Sequence, residues 1–140
     1  MLKQLRKNPK LLPQGTEEIL RYETPVQTVA RVAIEDVELD GYTIRKGERV
    51  VVSLGAANRD PLQFNQAAQF DIKRPIARNL AFGSGIHYCL GSNLAKMVCQ
   101  IAFSAISQEF CEIKLANDPP KWRNNFIIRS LERLIVVLHK

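Results

Sequence analysis

The chain has 140 residues, a formal net charge of +6 and a 46% hydrophobic composition, which suits one domain with its own core and excludes a disordered or fibrous protein. No apolar run approaches the roughly 20 residues of a membrane span, and the opening MLKQLRKNPKLLPQG lacks the apolar centre of a signal peptide. The basic residues are scattered instead of massed with aromatics, so net charge alone speaks for a nucleic-acid reader. A cytoplasmic protein without membrane or nucleic-acid contacts is expected. The three cysteines, Cys89, Cys99 and Cys111, are odd in number and form no CxxC pair, which argues against a disulfide framework and a zinc ribbon. Cys99 and Cys111 read as small buried hydrophobes.

Along the chain, residues 1–13 read as a short amphipathic helix stopped by Asn8-Pro9 and Pro13. Thr16 is expected to cap the next helix, which carries Ile19, Leu20 and Tyr22 and ends before Pro25. Within it, Glu18 and Arg21 stand at i, i+3, a spacing that faces opposite charges on a helix; taken alone, this is a common surface pair. Thr28 to Ser53 alternates in strand fashion, with turns at Asp40-Gly41 and Lys46-Gly47, and predicts a small antiparallel sheet with Val50-Val51-Val52 buried. The stretch from Ala57-Asn58-Arg59-Asp60-Pro61 to Phe70-Asp71-Ile72-Lys73-Arg74 reads as a long loop. Asn93 to Phe110 is apolar at i, i+3 and i+4, a helix with one broad face that needs a partner. After Asp118-Pro119-Pro120, a final hairpin is expected over residues 127–138, turning near Leu131-Glu132-Arg133.

The chemistry gathers in Ala81 to Ala95, AFGSGIHYCLGSNLA. Gly83, Gly85 and Gly91 surround Cys89 and His87, as suits positive φ or a flat object lying against the backbone. A helix starting just after Cys89 points its free N–H groups towards the sulfur and favours thiolate. A thiolate in such a loop, beside apolar Phe82 and Leu90, suits an axial ligand to haem iron. His87-x-Cys89 also suggests zinc, but His139 and the other cysteines stand at no recognised ligand spacing.

The pattern Phe82-Gly83-x-Gly85-x-His87-x-Cys89-x-Gly91, followed by Leu94-Ala95, resembles the haem-ligand loop of the cytochrome P-450 superfamily, in its soluble bacterial branch. The resemblance implies an α+β chain that forms the C-terminal part of a mainly helical fold. It implies haem b bound through Cys89, with His87 and Arg31 directed to the haem propionates and Phe82, Gly83, Gly85 and Gly91 shaping the loop; Arg31 read alone is a strand-edge charge in solvent. Glu18 and Arg21 resemble the family's ExxR pair, buried to hold the fold around the haem. The family often has an arginine before the Phe-Asp of the long loop. Here that position is Gln69, which lacks a charged fork and is expected to weaken the network.

The resemblance covers residues 1–140 as a truncated C-terminal third, without the oxygen-activating helix, so no catalytic residue is assigned. Two readings follow. One is a haem-thiolate monooxygenase, with a ferredoxin or flavoprotein electron donor and a small organic substrate. The other is a non-catalytic remnant, or a half-module completed by a second chain that supplies the N-terminal part.

Overall fold

The computed structural model describes residues 1–140. Four helices, α1 (Leu2–Lys7), α2 (Leu12–Tyr22), α3 (Leu54–Ala57) and α4 (Ser92–Glu109), accompany two 3-10 turns at Pro9–Leu11 and Gly85–His87. Eight short strands complete the fold: β1 (Thr28–Val32), β2 (Val37–Leu39), β3 (Tyr42–Ile44), β4 (Arg49–Ser53), β5 (Glu112–Leu115), β6 (Lys121–Trp122), β7 (Leu131–Arg133) and β8 (Val136–His139). The class is α+β, as expected.

Pro13 does not stop a helix; it starts one. It lies in the first turn of α2, where the backbone N–H that proline lacks would have had no helical partner. Thr16 therefore sits inside α2 and caps nothing. Its buried hydroxyl donates to the Leu12 carbonyl one turn back, at 2.8 Å. Gly15, beside it, lets α2 lie close against Ile72, whose Cγ1 would stand 2.9 Å from an added Cβ. Both α1 and α2 pack on α4, and Arg6 of α1 donates to the Ser107 carbonyl at 2.9 Å.

The strands pair antiparallel, but as four separate two-stranded ribbons. β1 pairs with β4, and β2 with β3. Asp40, Gly41 and Gly47 take positive φ in the turns named from the sequence. Val51 and Val52 are exposed and Val50 is only half-buried, against expectation; Val51 and Val52 point to opposite faces of the two-stranded β1–β4 ribbon, and neither is covered at these positions. The final hairpin over residues 127–138 is not found either. Residues 131–133 form β7, which pairs back with β6, and β8 pairs with β5. The last segment also returns to the exit of α2. Val26 bridges Ile128, Gln27 N–H donates to Ile127 O at 2.7 Å, and Arg129 N–H donates to Pro25 O at 2.8 Å.

The buried set is small and half polar. Leu5, Leu20, Leu54, Phe64, Ala67, Ile72 and Ala81 form its apolar part, and Glu18, Arg21, Thr24 and Asn58 lie among its polar members. The accessible surface is 10268 Å², whereas a compact monomer of 15.9 kDa exposes about 7,400 Å². The excess is apolar in good part. Leu94, Met97, Val98 and Ile101 make an exposed ridge along α4, and Ile86 and Leu90 of the cysteine loop are fully in solvent. The partner that the periodicity of this helix calls for is not supplied by these residues. Cys99 and Cys111 are half-buried instead of buried, and Cys111 lies beyond the end of α4.

Candidate functional site

Beneath the cysteine loop lies a buried knot of charge. Arg21 grips the Glu18 carboxylate with two parallel hydrogen bonds, Nε to Oε2 at 2.6 Å and Nη2 to Oε1 at 2.8 Å, and both side chains are about 98% shielded from solvent, with exposures of 2% and 1%. Arg74 adds its Nε to both carboxylate oxygens at 3.1 Å, and the Asp71 N–H adds a fourth donor at 2.9 Å. The outer donors of Arg21 reach the carbonyls of Asn58 and Ala67, at 2.8 and 2.9 Å. Burial alone would raise the Glu18 carboxyl; the hydrogen bonds from Arg21, Asp71 and Arg74 outweigh it and hold the group below its ordinary value. No buried side-chain nitrogen or oxygen is left without a partner. A pair removed from water is tolerable only on such terms.

Gln69 therefore does not leave the knot without a second cation. Arg74 supplies it from five residues further on, and Gln69 contributes only its main-chain carbonyl, which accepts from both Arg21 and Arg74, at 3.2 and 3.1 Å. The FDIKR run contained this residue, but nothing in its spacing tied Arg74 to Glu18. Sequence reasoning also passed over Asn58 and the Glu17–Lys96 bridge, 2.6 Å long, which ties α2 to α4 across the loop. Burial would lower the Lys96 ammonium, but its hydrogen bond and charge pairing with Glu17 raise it overall. Its Nζ also stands 5.5 Å from the Phe82 ring centre.

The loop itself is shaped by two left-handed glycines, Gly83 at φ 72° and Gly85 at φ 61°, values at which a side chain would be strained. Gly91 has an ordinary φ of −84° and precedes the first residue of α4. Its place is next to the sulfur, since an added Cβ would come to 4.0 Å from Cys89 Sγ. The Gly83 N–H donates to Leu80 O, and the Cys89 N–H donates to Phe82 O, both at 2.9 Å, so the loop folds back on its own entry. α4 opens three residues beyond Cys89.

Cys89 is exposed and faces an open concavity of about 300 Å³. Arg31, Phe82, Gly83 and His87 line the same space. Five of the seven residues named from the sequence as cofactor-binding thus meet there, four from the loop and Arg31 from β1. Leu20, Val26, Val29, Leu54 and Ala81 supply apolar wall. Gly85 lines a different cavity, of about 540 Å³, on the side of Glu17, Arg78 and Lys96, and Gly91 lines neither. No group of three or more His, Cys, Asp or Glu side chains gathers here. One thiol, an apolar wall and two basic side chains fit a flat apolar macrocycle that brings its own metal and carries carboxylates.

The cytochrome P450 family pattern matches residues 3–135. This chain belongs to the cytochrome P450 family. Family members bind haem iron, and the fold is the C-terminal part of the P450 fold. It is 47% identical over 135 residues to the biotin biosynthesis cytochrome P450 of Bacillus subtilis, covering 96% of this chain and 34% of that protein. It is 40% identical over 136 residues to 6-deoxyerythronolide B hydroxylase of Saccharopolyspora erythraea, covering 96% and 34%. The crystal structure of P450BioI in complex with hexadec-9Z-enoic acid ligated acyl carrier protein superposes with a TM-score of 0.94 at 47% identity, over 99% of this chain and 36% of that one. The chain thus spans about a third of the length of these P450 relatives. No helix is long and apolar enough to cross a membrane.

Proposed function

We propose that this chain is the C-terminal, thiolate-bearing part of a cytoplasmic haem-thiolate monooxygenase, acting on a small organic substrate with electrons from a ferredoxin or flavoprotein. The observation that carries the reading is the meeting of Arg31, from β1, with Phe82, His87 and Cys89, from the loop, around one apolar concavity.

In this reading Cys89 ligates the haem iron through its sulfur. Arg31 and His87 bind the propionates; a guanidinium suits a carboxylate through parallel hydrogen bonds. Phe82 and Leu20 cover apolar macrocycle and keep water from the sulfur side. Gly83, Gly85 and Gly91 let the loop lie flat, and Glu18 with Arg21 holds its base. When bound, the haem activates dioxygen for insertion of one oxygen atom into the substrate, while the protein supplies ligand and pocket. The exposed ridge of Leu94, Met97, Val98 and Ile101 supports a second reading, in which this chain is a half-module whose haem site is completed by further polypeptide.

The test is the absorption spectrum of the haem-loaded chain, reduced and exposed to carbon monoxide. A strongly red-shifted Soret band that disappears in Cys89→Ala is expected. A haem spectrum unaltered by that substitution, or no haem uptake with or without an added N-terminal P450 segment, overturns the assignment.

A further inference from the structure

We infer that Asn58 is a positioning residue for Cys89, fastening the start of the cysteine loop to the buried ion-pair knot; this rests on the reading of Cys89 as the iron ligand. Asn58 is 0% exposed, and its main chain and side chain together make four hydrogen bonds. Its N–H donates to Leu54 O at 3.0 Å, and its carbonyl accepts from Arg21 Nη1 at 2.8 Å. Its side-chain Nδ2 donates to Thr24 Oγ1 at 2.8 Å, and its Oδ1 accepts from the Leu80 N–H at 2.6 Å. Thr24 is itself fixed, donating to the carbonyls of Leu20 and Arg21 at 3.0 and 3.1 Å.

The consequence runs along the loop. Leu80 O accepts from Gly83 N–H, and Phe82 O accepts from Cys89 N–H. A side chain that sets the position of Leu80 therefore sets the entry from which Gly83 and Cys89 hang. No other side chain meets the Leu80 N–H. Leu80 is itself only half-buried, and a directional bond to a fully buried amide locates its N–H in position and angle.

Residue-resolved amide exchange tests this without recourse to haem. Asn58→Leu keeps the branched outline of the side chain, with bulkier methyl ends, and removes both side-chain bonds. It is expected to speed exchange at Leu80, Gly83 and Cys89 about ten- to a hundredfold, the loss of one buried hydrogen bond, while amides in the middle of α4 keep their rates. Asn58→Asp keeps the acceptor for Leu80, and Thr24 can turn its hydroxyl to donate to the second oxygen. It is expected to hold exchange at these amides within about threefold of the parent. In haem-loaded samples the same order should appear in the fraction of red-shifted carbon monoxide band. Unchanged exchange at Leu80 and Cys89 in Asn58→Leu overturns the proposal. If that variant loses protection throughout, Asn58→Asp decides: retained Leu80 protection supports positioning, and lost protection overturns it. Failure of the parent chain to give the red-shifted band would instead sink the haem reading and leave the exchange result standing.

Discussion

Two regions of this molecule invert the usual arrangement of polar and apolar groups. Around Glu18 the interior is charged: a carboxylate, two guanidinium groups and an asparagine, with every hydrogen bond made. Along α4 the exterior is apolar, with Leu94, Met97, Val98 and Ile101 all more than half exposed. The charged knot is complete within these residues, because each of its donors and acceptors is supplied by residues 18–80. The ridge is incomplete, because the periodicity of an amphipathic helix states that a face must be covered without stating by what. Stability in this chain should therefore reside in its polar interior, and its tendency to associate should reside in its apolar exterior.

Substitutions can break that comparison. The largest effect is expected for Glu18→Ala, which leaves two cations without their carboxylate. Removing one partner of a buried pair costs about 3–5 kcal/mol, a large share of the 5–15 kcal/mol typical of a domain, and urea unfolding should show it. Acid should act through the same group. Because the Glu18 carboxyl is held below its ordinary 4.5, its contribution is fully present above that value and is lost as pH falls through the depressed one. Glu18→Gln should flatten the fall of the urea midpoint in that window; a slope equal to that of the parent would move the acid sensitivity elsewhere. Arg74→Ala is next, at about 1–3 kcal/mol, because Arg21 still pairs with the carboxylate. Smallest is the double substitution Val98→Gln, Ile101→Gln on the ridge. It should shift unfolding by only about 0.5 kcal/mol yet reduce self-association measured by light scattering. A ridge variant that unfolds as readily as Glu18→Ala would erase the contrast.

What could be read in the sequence was what is local. The cysteine loop is one continuous run: Gly83 and Gly85 take the positive φ their residue type suits, Phe82 and His87 share the concavity of Cys89, and a helix follows, while Gly91 keeps an ordinary φ and lines neither cavity. The turns at Asp40-Gly41 and Lys46-Gly47 were legible for the same reason. Arg74 was not, because its bond to Glu18 spans 56 residues and a loop sequence carries no period to link them. Thr16 was misread because a residue that favours helix caps also fits inside a helix, where its hydroxyl can bond back one turn. Val51 and Val52 were misread because β-branched composition reports a strand and does not report whether a second layer lies over it. The terminal strands were assigned to each other because neighbours in sequence usually pair; here their partners, β5 and β6, come before Asp118 and just after Pro120.

The return of residues 127–129 to residues 25–27 also orders events during synthesis. A ribosome adds about 5–20 residues per second, so the strand leaving α2 waits about 5–20 seconds for its partner to be made. By then residue 74 has long emerged and the carboxylate at position 18 can be neutralised, and the cysteine loop follows while that edge is still open. Closure across about a hundred residues is entropically slow and comes late. A chain stalled or cleaved shortly before Phe126 would therefore hold its thiol in a formed loop beside an unsealed strand.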